Sequence, residues 1–374
     1  MRKWRPAVLL LILIICLLLA GCGGGSGSNS NNLPTVSEYV IPTAGSGTNA
    51  MITGPDGNIW FTEVYGNKIG KITASGVITE YAIPTAGSYP RAIVSGPDGN
   101  LWVIEYSANK IGKITTAGII TEYAIPTSDS CPGVIVSGSD GNLWFTEQQW
   151  ANKIGKITPS GIITEYAIPT NYSQPNALVS GPDGNLWFTE GSGKIGKITT
   201  AGIFTEYDVP TAGSVPHSLV SGPDGNLWFI EGSSNKIGRI TTAGNITEYP
   251  MPSAGAAMTM ISGPDGNLWI AGFSDIIWEI TTAGIFTTYN INTNIRAIIP
   301  GPDGNVWFAG EIYKCINGTC AYRNCVGKIT PTGMVTDYEI PSGPSIITSG
   351  LDNNLWFIDG STNSIGLVRN LNVQ

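Results

Sequence analysis

Short apolar runs, each bounded by turn-forming residues, recur along the chain with a nearly constant period. The first run, Ile59-Trp60-Phe61, follows the turn sequence Gly-Pro-Asp-Gly-Asn at residues 54–58. Related segments, spaced about 42 residues apart, begin at seven later glycines: Gly96, Gly138, Gly181, Gly222, Gly263, Gly301 and Gly350. Eight copies at a fixed spacing predict a repeat architecture in which each copy folds as one supersecondary unit.

Each copy has the pattern of four short antiparallel strands. In the fourth copy we expect strands over Asn176 to Ser180, Leu186 to Glu190, Lys194 to Thr199 and Ile203 to Val209. The turns at residues 182–184 and 200–202 end in glycine, which adopts the positive φ that closes a hairpin. Four strands in a period of about 40 to 45 residues are typical of a β-propeller blade, so the predicted fold class is all-β.

The two ends of the chain predict how the propeller closes. The last copy stops after its third strand, near Ser364 to Arg369, whereas a fourth-strand sequence without a copy of its own lies at residues 37–42. Pairing these two segments would close an eight-bladed ring and leave no open strand edge between the termini. A seven-bladed ring is the alternative, because the last two copies are spaced irregularly, by 38 and 49 residues.

Every copy carries a tryptophan at the same place. A ring of tryptophans suggests ligand stacking, but a large residue repeated in each blade is better explained by packing of one blade on the next. The eight residues are Trp60, Trp102, Trp144, Trp187, Trp228, Trp269, Trp307 and Trp356.

The first 34 residues predict export and lipid anchoring. Positive residues precede an apolar stretch from Ala7 to Ala20, which ends at Leu19-Ala20-Gly21-Cys22. The stretch is short for a membrane span, and small residues before a cysteine are typical of a lipoprotein cleavage site. We therefore expect a signal peptide at 1–21, lipid on Cys22, a flexible Gly/Ser/Asn linker at 22–34 and the propeller at 35–374. A simple signal peptide is the alternative, and in a Gram-negative cell the outer membrane is the expected location.

The net charge bears on the possible partners of the protein, and the cysteines bear on possible disulfides and metal sites. The net charge of −8 and the pI near 4.7 argue against nucleic acid as a partner, and we expect a monomer. In an oxidising compartment, the cysteines at 131, 315, 320 and 325 allow three disulfide pairings, of which Cys315 with Cys320 would close a short loop. A zinc site is the alternative for the cluster at 315–325. We expect the insertion at 311–324 to be a long loop that caps the central channel.

The candidate ligand site lies on the face where the connections vary. The turns of the opposite face are nearly identical in all copies, which is typical of scaffold. Where each innermost strand begins, the residues differ from blade to blade: Asn49, Arg91, Gly133, Asn176, His217, Met258, Arg296 and Ser345. From this set we predict Asn49, Arg91, Asn176, Arg296 and Ser345 as ligand-binding residues, and the two arginines favour an anionic ligand unless glutamates neutralise them.

Two residues are candidates for catalysis. His217 is the only histidine in the sequence, and Glu231 follows it in the same copy. Imidazole and carboxylate groups are the usual proton carriers in enzymes. Carboxylates also stand at the end of the second strand in other copies, at Glu63, Glu105, Glu147, Glu190 and Asp359, whereas Gly272 and Gly310 take that place in two copies.

The repeat GPDGNLWFTE, followed by NKIGKIT and a TEYxIPT strand, resembles the virginiamycin B lyase family over nearly all of the chain after Pro34. The resemblance implies a seven-bladed propeller and a carbon–oxygen lyase that opens a cyclic depsipeptide by Mg²⁺-assisted elimination. It also implies histidines in adjacent blades in a Pro-His context, with nearby glutamates. Pro216-His217 and Glu231 match that pattern, but Asn176 and Met258 stand where further histidines would be, and Val215 replaces an expected glutamate.

Three functions remain open from the sequence. The leading hypothesis is a lipid-anchored propeller that binds a small molecule, a peptide or a glycan on its channel face. The second is a streptogramin-type lyase that uses His217, Glu231 and Mg²⁺; without that activity we expect no cofactor. The third is a scaffold that organises proteins of the cell envelope through its rim.

Overall fold

Antiparallel strands account for the secondary structure of the chain. The computed structural model describes residues 35–369, except 149, 254–256, 273–274, 317–318 and 342. The predicted signal peptide, the lipidation site Cys22 and the whole linker lie outside these residues, as do residues 370–374. Within the part described, no helix has the length and apolarity to cross a membrane.

The strands are numbered in chain order. Those of the first half are β1 (Thr35–Val40), β2 (Thr48–Thr53), β3 (Ile59–Glu63), β4 (Lys68–Ile72), β5 (Ile78–Ala82), β6 (Pro90–Ser95), β7 (Leu101–Glu105), β8 (Lys110–Ile114), β9 (Ile120–Ala124), β10 (Pro132–Ser137), β11 (Leu143–Glu147), β12 (Lys153–Ile157), β13 (Ile163–Ala167), β14 (Pro175–Ser180), β15 (Leu186–Glu190), β16 (Lys194–Ile198) and β17 (Phe204–Asp208). Those of the second half are β18 (Pro216–Ser221), β19 (Leu227–Glu231), β20 (Lys236–Ile240), β21 (Ile246–Pro250), β22 (Ala257–Ser262), β23 (Leu268–Gly272), β24 (Ile276–Ile280), β25 (Phe286–Asn290), β26 (Thr293–Pro300), β27 (Val306–Ile316), β28 (Thr319–Ile329), β29 (Val335–Glu339), β30 (Pro344–Ser349), β31 (Leu355–Asp359) and β32 (Ser364–Arg369).

These strands form eight four-stranded antiparallel sheets, the blades of a propeller. Seven blades consist of four consecutive strands, and the eighth has the order β1-β32-β31-β30. The first strand of each blade contacts the first strand of the next, and β30 returns to contact β2. The prediction of an eight-bladed propeller is therefore confirmed, and the seven-bladed alternative is wrong.

The N-terminal strand closes the ring as the sequence predicts. β1 pairs antiparallel with β32 from Thr35 opposite Arg369 to Val40 opposite Ser364. The strands expected in the fourth copy are also confirmed, with ends that differ by no more than one residue. Turn residues and alternating patterns fix these elements locally, which explains the close agreement.

Each tryptophan packs a blade against its neighbour, as the sequence predicts. Trp60 is fully buried in a cluster with Leu101 and Val103 of the next blade. Its Nε1 donates to Oδ1 of Asp56 in the preceding turn, at 2.9 Å, and its ring stacks on Tyr81 at 5.6 Å. The same aspartate–tryptophan–tyrosine arrangement recurs in other blades. The aspartate of the repeated turn therefore holds a core tryptophan in place and is not free to bind a ligand.

A repeated polar joint connects successive blades. The side chain of Asn109 donates to the carbonyls of Ile125 and Thr127 and accepts from the backbone and hydroxyl of Ser130, all within 3.2 Å. Asn363 makes the equivalent contacts with Ser46 and the adjoining segment, between the last blade and the first. The joint that closes the ring is therefore the same as the joints within it.

The seventh blade departs from the repeat because its second hairpin is longer. The expected long loop is wrong: β27 and β28 each run for 11 residues and pair as far as Ile316 opposite Thr319. Gly310, expected at the end of a strand, lies inside β27. Cys315 and Cys320 stand opposite each other on these strands and form a disulfide, while Cys131 and Cys325 are free.

Candidate functional site

The varied inner position lies within a register irregularity of the first strand in most blades, and directly before it at His217. In the second blade the register shifts between Pro90 and Ile93, which places Arg91 in a β-bulge. Equivalent shifts occur at the start of the other first strands. A bulge turns a side chain out of the regular pleat and is common beside functional sites. The backbone thus presents residues of six different types at the eight equivalent positions around one face.

Arg91 is held between tyrosines. Its guanidinium carbon lies 3.8 Å from the ring centroid of Tyr106 and 5.7 Å from that of Tyr89, distances that favour cation–π attraction. Tyr89 in turn meets Tyr65 edge-on at 5.7 Å. The side-chain amide of Asn49 donates to the Arg91 carbonyl at 2.9 Å. Two predicted ligand-binding residues, Asn49 and Arg91, are therefore brought together in one cluster.

This cluster borders an open hollow of about 430 Å³ between the first and second blades. Its lining combines aromatic, cationic and amide groups with few aliphatic side chains: Gly47, Thr48, Asn49, Val64, Tyr65, Tyr89 and Arg91. The tyrosines were not predicted, because they lie outside the inner-strand position from which the binding residues were selected. Their place in the varied connections was the available signal.

The other predicted binding residues are not part of this cluster. Arg296 forms an ion pair with Glu311 at 2.7 Å, so a carboxylate of the lengthened hairpin neutralises it. The Ser345 hydroxyl donates to the Ile358 carbonyl of its own blade at 3.3 Å. Asn176 is exposed at the fourth blade. Their roles in binding stay predictions.

His217 is half-buried on the fifth blade, beside the end of β19. A Cβ added to Gly232 would lie 3.1 Å from its Nε2, so the ring packs on the residue that follows Glu231. Its Nδ1 is buried and has no hydrogen-bond partner among the described residues. Burial lowers the pKa of His217, which favours the neutral imidazole that a general base requires.

The glutamates at the ends of the second strands do not reach the surface. Glu63, Glu105, Glu147 and Glu190 are fully buried. Burial, and after it the negative charge of a neighbouring glutamate, raises the pKa of Glu63 to about 7 and those of the other three to about 8. Burial also raises the pKa of Glu231. The first four carboxyls are therefore neutral in mildly acidic solution.

The described residues around His217 do not fit a Mg²⁺ site. Glu231 is buried, its raised pKa disfavours the carboxylate form, and its Oε2 already accepts from Ser234 at 2.7 Å. Asn176 and Met258 occupy the equivalent positions of the flanking blades. Among the residues that the structure describes, no group of three or more histidine, cysteine or acidic side chains is placed to hold a metal, at 315–325 or elsewhere.

Comparison with known proteins identifies relatives of the whole fold. No curated protein sequence matches the chain. Among solved structures, a streptogramin B lyase is 31% identical, with a TM-score of 0.64 over 90% of this chain and 97% of that chain. Virginiamycin B lyase from Staphylococcus aureus is 30% identical, with a TM-score of 0.64 over 90% of this chain and 99% of that chain.

A third structure, a catalytically inactive variant of virginiamycin B lyase from Staphylococcus aureus with quinupristin, is 30% identical. Its TM-score is 0.63 over 90% of this chain and 99% of that chain. The model of the virginiamycin B lyase family matches residues 30–220 and 173–317, which together exceed half of the chain. The chain therefore belongs to the virginiamycin B lyase family.

Proposed function

We propose that this chain is a ligand-binding member of the family, which captures a small molecule, a peptide or a glycan on its varied face. The observation that carries the proposal is the cluster around Arg91, where a guanidinium against two tyrosine rings borders an open hollow. Convergent polar and aromatic groups around a concavity are typical of binding sites. The lone histidine and the poor fit to Mg²⁺ support binding over elimination.

The test is a binding screen with a matched variant. The full-length protein is immobilised and exposed to panels of small molecules, peptides and glycans, alongside a variant with Arg91, His217 and Arg296 all changed to alanine. Ligands captured by the wild type should be lost by the variant while its circular dichroism spectrum is unchanged. Unchanged capture by the variant would place the site elsewhere, and capture of nothing would refute the proposal.

Elimination is the second candidate, favoured by the buried, unpartnered Nδ1 of His217. The protein is incubated with a type B streptogramin and Mg²⁺, and the product is followed by chromatographic retention and fragmentation, because elimination leaves the mass unchanged. Ring opening that is lost in His217→Ala would establish a lyase and displace the binding proposal. An intact antibiotic after prolonged incubation would refute the lyase candidate.

We further propose that the protein is exported and anchored to the bacterial cell envelope through lipid on Cys22. A cleavable leader followed by a flexible linker supports this arrangement. In a cell fractionation, the wild type should sediment with membranes, whereas a protein with Cys22→Ala behind an ordinary cleavable signal peptide in place of residues 1–21 should be recovered in the soluble exported fraction. Equal sedimentation of the two proteins would contradict lipid anchoring.

A further inference from the structure

Arg91 differs from the other arginines between residues 35 and 369. Arg239, Arg296, Arg323 and Arg369 each donate to a carboxylate, hydroxyl or carbonyl oxygen of the protein. Arg91 is exposed and forms no ion pair with a described carboxylate; its guanidinium carbon lies 3.8 Å from the ring centroid of Tyr106, with whose side chain it also hydrogen-bonds. A guanidinium has five N–H donors, so these contacts leave donors free, and two of them can bind the two oxygens of one carboxylate.

The rings beside Arg91 present flat faces together with hydroxyl groups. Tyr65 is 72% exposed and meets Tyr89 across the rim of the hollow. A tyrosine ring combines an apolar face with a polar tip, which suits a ligand that has both C–H faces and hydroxyls. A sugar ring has that combination.

Exposed aromatic residues continue on the same face beyond the second blade. Trp150, between β11 and β12, is 81% exposed and meets Tyr172, which leads into β14, at 6.1 Å. Tyr65 and Tyr106 occupy the corresponding connections of the first two blades. In the fourth and fifth blades the connection is instead Gly191-Ser192 and Gly232-Ser233. The aromatic residues thus follow one arc of the ring, which suits an extended ligand.

A peptide fits this surface less well. Peptide recognition commonly uses a pocket for an apolar anchor side chain or a free strand edge. The hollow has a single aliphatic side chain in its lining, Val64, and the first strands that border it are paired within their blades.

We propose that the arc formed by Tyr65, Tyr89, Arg91, Tyr106, Trp150 and Tyr172 binds an acidic oligosaccharide. The carboxylate of one sugar pairs with Arg91, its ring packs on the tyrosines of the hollow, and later sugars reach Trp150. Glu63 and Glu105 at the ends of β3 and β7 are buried and neutral in mildly acidic solution, so they add little opposing charge there. This inference rests on the proposed binding function and names its ligand class.

The test is calorimetric titration of the full-length protein, in mild detergent at pH 6, with tetragalacturonate, its methyl ester and a tetrapeptide with a free carboxyl terminus. Arg91→Gln should weaken binding of the acid at least about tenfold, the loss expected for one charge-assisted pair. It should leave the weaker binding of the ester unchanged. Arg323→Gln, which removes a paired arginine of β28, is the matched control and should bind as the wild type does.

Chain length provides a second measure. Trp150→Ala should weaken the tetramer but not monomeric galacturonate, because the monomer occupies the Arg91 end alone. Equal affinity for acid and ester, no loss in Arg91→Gln or no binding of the acid would overturn the inference. Tighter binding of the tetrapeptide would overturn it in favour of a peptide ligand and leave the proposed binding function standing. Failure of every ligand in this set and in the wider screen would refute both.

Discussion

Buried carboxyl groups end the second strands of the first five blades and of the eighth. Glu105 is fully buried, and its neutral carboxyl hydrogen-bonds to the side chain of Glu122 in the same blade, which also accepts from Thr85 and Lys110. Burial opposes ionisation of Glu122, but these hydrogen bonds outweigh it and lower its pKa. Glu105 is thus held in the neutral form beside an ionised neighbour.

Stability should fall as the solution becomes more alkaline. Because the pKa of Glu105 rises from 4.5 to about 8 on folding, the folded chain retains a proton between these values that the unfolded chain has lost. Each such group then lowers the free energy of unfolding by about 1.4 kcal/mol per pH unit across that window. Urea denaturation of the wild type at pH 5.5, 7 and 8.5 should show this decline, and Glu105→Gln should reduce its slope.

Asp129→Asn is the control for the removal of one carboxylate. Asp129 is exposed in the next connection, at a positive φ that asparagine also tolerates. This variant should keep the slope of the wild type. A wild-type stability that stays level or rises from pH 5.5 to 8.5 would contradict neutral buried glutamates.

For single residues, the sequence predicts the place in the blade better than it predicts burial and contacts. Asn49 and Arg91 were identified because they stand at one place in the repeat, and the structure brings them together. The ion pair that occupies Arg296 could not be foreseen, since Glu311 belongs to a hairpin absent from the other copies. The burial of the second-strand glutamates was not predicted, because alternation along a strand shows which face of the sheet a side chain lies on but not how far that face is from solvent.

At the scale of elements, the asparagine joint explains the repeated Asn-Lys-Ile-Gly sequence. The fourth blade lacks the side-chain part of this joint. The carbonyl of Gly193 accepts from the Val209 amide, as the carbonyl of Asn109 accepts from the Ile125 amide, but Gly193 has no side chain to make the remaining contacts. The hydroxyl of Ser214, which follows this blade, is buried without a partner among the described residues. One blade therefore provides a natural deletion of the joint.

Removing the joint should cost stability, and adding its side chain to the fourth blade should not restore it. Asn109→Gly should lower the free energy of unfolding by about 3 kcal/mol, because buried Ser130 loses its acceptor. Gly193→Asn should not raise it: no atom lies within 4 Å of the added Cβ, but Gly193 has φ +93°, a conformation that strains any residue with a Cβ by about 1 kcal/mol or more. Chemical denaturation measures both variants, and an unchanged stability of Asn109→Gly would contradict the role of the joint.

On the scale of the whole molecule, closure of the propeller ring depends on β1, which belongs to the eighth blade but is not joined to its other strands by a turn. β1 is hydrogen-bonded to β32, whereas the equivalent strand β9 follows β8 through a short turn. Ser37 and Thr121 occupy the same register in these two strands. The Ile41 amide donates to the Asn363 carbonyl. Because the amides of alternate residues in a strand lie on the same side, the Ser37 amide also faces β32.

Proline at the two positions should separate closure from local pairing. Each substitution removes one ladder hydrogen bond and leaves its acceptor without a donor, at a cost of about 1–3 kcal/mol. Ser37→Pro should in addition release β1 and expose the edge of β32, so it should lower the melting temperature further and form oligomers on size-exclusion chromatography. Thr121→Pro should remain a monomer, and equal behaviour of the two variants would contradict closure by β1.

The blade count was predictable because each repeat specifies its own turns and strands, and because the orphan strand at the N-terminus matches the missing one at the C-terminus. The family resemblance alone implied seven blades and was wrong on this point. Fold thus followed from local pattern, whereas the ligand site depends on contacts between blades that no single repeat encodes.

The uniform joint between blades has an evolutionary consequence. Asn363 accepts hydrogen bonds from Ser46 in the same way as Asn67 accepts them from Ser88. A duplicated repeat can therefore form the same joint with the blades on both sides. In-frame recombination between near-identical gene segments can therefore change the number of blades in a single event and still yield a closed ring. The added blade brings a fresh inner position and two fresh connections, on which selection can build a new specificity while the ancestral core is kept.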